Sequence, residues 1–252
     1  MASIINASTT STSGLVQTAD ASGVLQLQSN GVTGLTVGPG GLLTAANGIV
    51  MSSMTLGAAT AGEFEYDGCV PYFTPLGTQR GVVPGMQYYR LNGAVVGSNA
   101  TGAQNTLGVG VTLSSSTVYS FDLVFAVSKT AGTTSHNFQL LFGGTATVNN
   151  IAYTFLRTSS TTSFTDVSAF NGLGGYIQAA TATSIVTNWT SAGAYFTVTL
   201  RGTVSVNAGG TFIPQYTLSA APGGAYTTAI GSYCLVYPIG ATGGNVSVGS
   251  WA

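Results

Sequence analysis

The sequence predicts an all-β chain in which short interlocking N-terminal strands precede a C-terminal antiparallel β-sandwich of jelly-roll type. Three observations carry this expectation. Only 4% of the 252 residues are charged, against 36 glycines, so the Glu, Lys and Arg that support exposed helices are nearly missing. Thr, Val, Tyr and Phe, which suit a pleated and half-buried surface, are abundant. From about Met86 onward, apolar residues recur at every second position between Gly, Ser and Asn turns, which is the period of strands and not of helices.

Residues 1–62 read as an attachment or trimerisation segment. No aromatic residue precedes Glu63, and Asp20 is the lone charge. Short apolar runs at Gly14-Leu15-Val16, Val24-Leu25-Gln26-Leu27 and Gly34-Leu35-Thr36-Val37 are punctuated by Asp20-Ala21-Ser22-Gly23, Ser29-Asn30-Gly31 and Gly38-Pro39-Gly40-Gly41. Alternation sends Leu25 and Leu27 one way and Gln26 and Gln28 the other, giving a strand with one apolar face. So little apolar area cannot offset the chain entropy of the segment alone. Partner chains are the expected cover.

Residues 63–85 read as a hairpin connector. Alternation places Glu63, Glu65 and Asp67 on one face and Phe64 and Tyr66 on the other, and Asp67-Gly68 turns the chain into Val70–Phe73. Residues 86–252 form the sandwich domain. Strands are expected through 107–113, 119–127, 137–142, 147–157, 175–179, 184–189, 195–206, 211–218 and 231–237. Phe121, Leu123, Phe125, Phe196, Val198 and Leu200 should face the core.

Composition excludes several function classes. Five basic residues cannot neutralise a run of phosphates, so no nucleic-acid partner is expected. No apolar run approaches the roughly 20 residues of a spanning helix, so no membrane partner is expected either. Met-Ala-Ser-Ile-Ile-Asn lacks a basic region and an apolar stretch, so no secretory signal is expected. Asn-x-Ser/Thr triplets at Asn6, Asn99, Asn188 and Asn245 are what a Ser- and Thr-rich chain contains by chance. Cys69 and Cys234 are too few and too far apart for a disulfide framework or metal site. Two buried free thiols are the simpler expectation and a long-range bridge the alternative.

Catalytic chemistry is nearly absent. His136 is the lone histidine and no Gly-x-Ser-x-Gly elbow accompanies it; at a strand start, a surface or locally hydrogen-bonded ring is the ordinary role. Glycoside cleavage needs two carboxylates across a cleft, and three of the six carboxylates crowd into 63–67. The Glu63/Glu65/Asp67 face, repeated around a threefold axis, suits a hard cation; pairing with Arg80 or Arg90, or plain solvation, is the simpler reading. Tyr88, Tyr89, Tyr176, Trp189 and Tyr195 suit a sugar-binding surface or, more commonly, a core or subunit interface. The expectation is therefore a non-enzymatic protein with no catalytic, cofactor-binding or metal-ligating residues and no cofactor.

Several segments are familiar. The opening Met-Ala-Ser-Ile-Ile-Asn-Ala-Ser and Ala19–Gln28 resemble the start of tail-fibre-like virion proteins of aquatic tailed phages, cyanophages included. Glu63–Gly68 with Tyr72–Pro75 and Arg80-Gly81 resembles the same proteins, as do His136–Gly144, Gly210–Gln215 and Ser219–Gly224. The resemblance implies a homotrimer located in the virion, assembled in the host cytoplasm and contacting other virion proteins of tail or capsid. A short fibre or tail appendage, a capsid decoration (cement) protein and a module binding host surface glycan are the roles it leaves open. No extended shaft separates the two ends, unlike in long fibres.

Overall fold

The computed structural model describes residues 24–29, 32–38, 41, 43–46, 48–166, 171–249 and 251. The Gly14–Val16 run and the Asp20–Gly23 turn expected from sequence lie outside them. Among the described residues every regular element is a strand, and no helix is long and apolar enough to cross a membrane. The chain divides into two compact units, Met1–Ser52 and Ser53–Ala252.

In the first unit, β1 (Leu25–Ser29), β2 (Val32–Val37) and β3 (Leu43–Ala45) form an antiparallel sheet in that order. Ser29 pairs directly with Val32; the Asn30-Gly31 turn expected from sequence lies outside the described residues. A register shift follows Leu27.

The second unit opens with a small sheet of β4 (Phe64–Tyr66), β5 (Pro71–Phe73) and β6 (Gly81–Val82). The turn expected at Asp67-Gly68 is present because its side chain caps it. Asp67 Oδ1 accepts from the backbone N–H of Cys69 (2.7 Å) and Val70 (2.8 Å), and Gly68 takes a φ of +96° that favours glycine.

The remaining strands are β7 (Gln87–Arg90), β8 (Val95–Val96), β9 (Gln104–Asn105), β10 (Val111–Leu113), β11 (Thr117–Lys129), β12 (His136–Gly143), β13 (Thr147–Ser160), β14 (Asn171–Ile177), β15 (Thr183–Trp189), β16 (Ala194–Ala208), β17 (Gly210–Leu218), β18 (Thr227–Thr228) and β19 (Tyr233–Ala241). Eight of them pair as nested antiparallel couples: β10 with β17, β11 with β16, β12 with β15 and β13 with β14. Rolling that ribbon over itself yields two sheets, β10-β17-β12-β15 and β14-β13-β16-β11. This is the winding of an eight-stranded jelly roll. β19 and β18 line the free edge of β11 and are flanked in turn by β7 and β8, while β9 extends from β17.

Alternation sets the core. On β11 every odd position from Thr117 to Lys129 is buried and every even one is half-buried. Phe121, Leu123, Phe125, Phe196, Val198 and Leu200 all face inward, as expected. Phe138, Phe142, Phe212 and Tyr216 close the core from the other sheet. Gly202 sits between Phe121 and Tyr153 on the neighbouring strands, and a Cβ there would come within 2.2 Å of the Ala152 carbonyl. That position requires glycine.

Three expected strands shift. The 107–113 run is a strand only over β10, because Gly108 has a φ of +74° and Gly110 packs against Ile213, leaving Val109 exposed. The 175–179 strand begins earlier, at Asn171, and ends at Ile177. The 231–237 strand starts at Tyr233 and runs on to Ala241 along β11.

Candidate functional site

The acidic face at 63–67 turns inward and is satisfied within its own sheet. Glu65 is buried and accepts from Arg80 Nε at 2.6 Å, while the same guanidinium donates to the Gly57 carbonyl. Glu63 accepts from the backbone N–H of Thr60 at 3.1 Å. Asp67 Oδ2 accepts from the Tyr72 hydroxyl at 2.8 Å. Burial alone would raise the Asp67 pKa; the Val70 and Cys69 amides and the Tyr72 hydroxyl outweigh it and hold the carboxyl lower than usual. Phe64 and Phe73, paired across the strands, occupy the exposed face. Arg80, and not Arg90, is therefore the partner; Arg90 donates to Asn92 Oδ1 at 2.6 Å. Among the described residues no three His, Cys, Asp or Glu side chains converge as a metal centre.

His136 is not a surface residue. It is buried at the start of β12, at one end of the sandwich, although its local hydrogen bond is as expected. The Thr134 carbonyl, 2.7 Å away, can only accept, so Nδ1 carries the proton and Nε2 accepts from the Tyr226 hydroxyl at 2.9 Å. Beside it lies the lone lysine. Lys129 Nζ donates to the carbonyls of Ala131, Gly132, Ser191 and Ala192 at 2.7–3.3 Å and lies 6.0 Å from the Tyr226 ring centroid. Both ring nitrogens are committed and the ring is closed to solvent, so the cluster fastens loops together and offers no base to a substrate.

Burial, with Lys129 as a minor contributor, pushes the His136 pKa below its ordinary value. The unfolded chain then takes up the proton first as pH falls. Stability is full above about pH 6.5 and is lost progressively below it, flattening once the folded-state pKa is passed. The urea midpoint should drop between pH 7.5 and 5.5 in the wild type, and His136→Gln should remove that slope. Loss of the Asp67 contribution belongs to a separate, more acidic range, below about pH 4. A slope equal in both proteins would show that another group titrates.

Both cysteines are free. Cys234 is buried and Cys69 half-buried, so the expectation of two buried thiols holds fully for Cys234 alone. Burial raises the Cys234 thiol to about 12, which keeps it protonated and unreactive at neutral pH.

The five candidate aromatics do not form one surface. Trp189 packs against the core, edge-on to Phe196 at 4.9 Å, with Nε1 donating to the Gly193 carbonyl. Tyr88 stacks on Tyr233 at 5.5 Å, Tyr176 is exposed on β14, and Tyr195 meets Phe164 edge-on at 5.2 Å. Tyr89 shares the inward parity of Cys234 and helps line an apolar pit of about 290 Å3 where β7 and β19 part from β10 and β17. Tyr88 lines the same pit, and Gln87, Leu107, Val109 and Thr112, which the sequence did not offer as site residues, are part of its wall. A smaller hollow of about 120 Å3 lies among Ser160, Ser163, Phe164, Asp166, Tyr195 and Thr197.

Four of the five cations are buried or ion-paired, Arg90 being the exception. Lys129 and Arg157 are buried; Arg157 Nη1 donates to Ser159 at 2.8 Å. Arg80 pairs with Glu65, and Arg201 with Asp122 at 2.7 Å. No protein-family model matches the chain, and no curated protein sequence matches it.

Proposed function

We propose that the chain is a non-enzymatic structural protein of a tailed-phage virion, assembled as a homotrimer into a short fibre or tail appendage exposed on the particle. The observation that carries this reading is where the charges lie. Lys129, Arg157, Glu65 and Arg80 are spent inside the fold, so the exterior is nearly uncharged, its hydroxyl and amide groups interspersed with exposed apolar side chains such as Val50, Leu76 and Val96. A surface of that kind hydrogen-bonds to copies of itself without the like-charge repulsion that keeps ordinary domains apart. The jelly roll is an architecture used in viral shells, and the segments resembling virion proteins supply the particle.

The test is a stained gel of purified particles with copy number measured against the major shell protein. A few to a few tens of copies, in multiples of three, supports the appendage. Hundreds of copies would make the chain a capsid decoration protein, and absence from particles would overturn the virion reading. A host-glycan-binding role is the second reading. It is favoured by the hydroxyl-lined hollow beside Tyr195 and Phe164, since an aromatic ring flanked by polar groups suits a sugar. A glycan array probed with the full chain separates the two.

A further inference from the structure

The register of the first unit puts six apolar residues on one face. Leu25 pairs with Val37 and Leu27 with Leu35 across β1 and β2, while Leu35 pairs with Ala45 and Val37 with Leu43 across β2 and β3. Directly opposed residues of an antiparallel sheet share a face. Leu25, Leu27, Leu35, Val37, Leu43 and Ala45 therefore form a continuous apolar panel two residues deep and three strands wide. Leu25, Leu27 and Leu43 remain 44%, 47% and 56% exposed.

The reverse face has a different character. Gln28 Nε2 donates to Gln26 Oε1 at 3.4 Å and to Thr33 Oγ1 at 3.1 Å, and Thr36 and Thr44 pair beside them. That face satisfies itself and is wet. The apolar panel has no second layer among the described residues of its unit, although a lone small sheet needs one to be stable in water.

We infer that the panel is where copies of this chain meet, the six residues of one copy packing on those of the next. This rests on the reading of the chain as a self-assembling protein and names the surface that does it. Charge selects the occupant. Around a threefold axis the panel of each copy would face those of the other two, so a single charged residue there would be repeated three times at close range and repel its own copies. No charged residue occurs anywhere between Asp20 and Glu63. A partner of other chemistry would leave complementary charges or hydrogen-bonding groups on the panel, and it carries neither. The edges are short, with β1 of five residues and β3 of three, so growth by ladder pairing is limited and the face is the contact.

The test uses the full chain, with mass by light scattering at micromolar concentration. Leu27→Asp places a charge on the panel and should turn the oligomer into monomer, or raise its dissociation concentration at least tenfold. Gln26→Asp, on the wet face, should leave the mass unchanged. Near-ultraviolet circular dichroism of both variants reports whether the aromatic jelly-roll core is intact. As a second measurement, Leu35→Cys should give interchain cross-links with a short bis-maleimide that the wild type, with Cys69 and Cys234 alone, does not give. An oligomer that survives Leu27→Asp with no Leu35→Cys cross-link overturns the assignment while leaving a trimeric virion protein standing. A wild type that is monomeric overturns both the panel and the homotrimer. A wild-type oligomer that Leu27→Asp dissociates, in a protein missing from particles, upholds the panel and removes the virion reading.

Discussion

Phe196→Ala should cost about 3–5 kcal/mol of folding stability, the range for emptying a fully buried aromatic site. Phe196 has no solvent exposure and lies at the meeting of the two sheets. Its ring centroid is 4.9 Å from that of Trp189, 5.6 Å from Phe138 and 5.8 Å from Tyr226. These rings come from separate strands and loops that are themselves pinned, Trp189 by Gly193 and Tyr226 by His136. The void cannot collapse, and the cost of a cavity grows with the volume that survives relaxation. Leu156→Ala is the control: it projects from the outward side of β13 and is 55% exposed, so its change should stay within about 0.5 kcal/mol. Urea unfolding followed by circular dichroism measures both. A loss below about 1 kcal/mol at Phe196 would mean that the sandwich repacks freely, against the density expected of protein interiors.

Arg80→Ala should be nearly as damaging to the small sheet. It leaves the Glu65 carboxylate, with its side chain 2% exposed, buried and without its cation. Breaking a buried pair from one side costs about 3–5 kcal/mol, whereas replacing both members with apolar groups is often neutral. The double variant Glu65→Met/Arg80→Met should therefore recover most of what Arg80→Ala loses. The damage is local, so the readout is hydrogen exchange at Thr74 and Val83, whose amides bond to Glu63 and Pro71 across the sheet. Unchanged exchange in Arg80→Ala would show that water reaches Glu65 and that the ion pair contributes little.

How much of this was legible follows from which interactions are local. The inward parity of 119–127 is written in the alternation, and so is the inward turn of Lys129 two residues on. A lone lysine on the core parity of a strand was a signal for a buried anchor, and reading it needed only the count carried to 129. The Asp67-Gly68 turn was legible for the same reason, since its cap lies within three residues. The local hydrogen bond of His136 was legible, but its burial was not, because Tyr226, which packs on it, arrives ninety residues later and no local pattern announces that. The pit beside Tyr89 was hidden similarly: its walls come from β7, β10, β17 and β19, which are adjacent only in three dimensions. The 107–113 alternation misled because two glycines break the strand by backbone geometry, which hydrophobic period does not record. The apolar face of β1 could be read from Leu25 and Leu27, but its extension over three strands required the register.

The nesting of the eight strands also sets how much chain each pairing must close. β13 and β14 close across the short stretch from Ser160 to Asn171, and each outer couple encloses a longer one, until Leu113 meets Gly210. Loop-closure entropy favours the short closure first, so the expected order of pairing runs from the middle of the ribbon outward. Pairings this far apart in sequence place folding in the slow range of milliseconds to seconds. On the ribosome the consequence is sharper: β11, thirteen residues long, stays open on one side until β18 and β19, which follow all the other strands of the roll in the chain, cover it. Until then nascent neighbours on one messenger each display an unpaired backbone ladder to the others. Crowding during production, more than the finished molecule's stability, is where this chain is most exposed to wrong pairing.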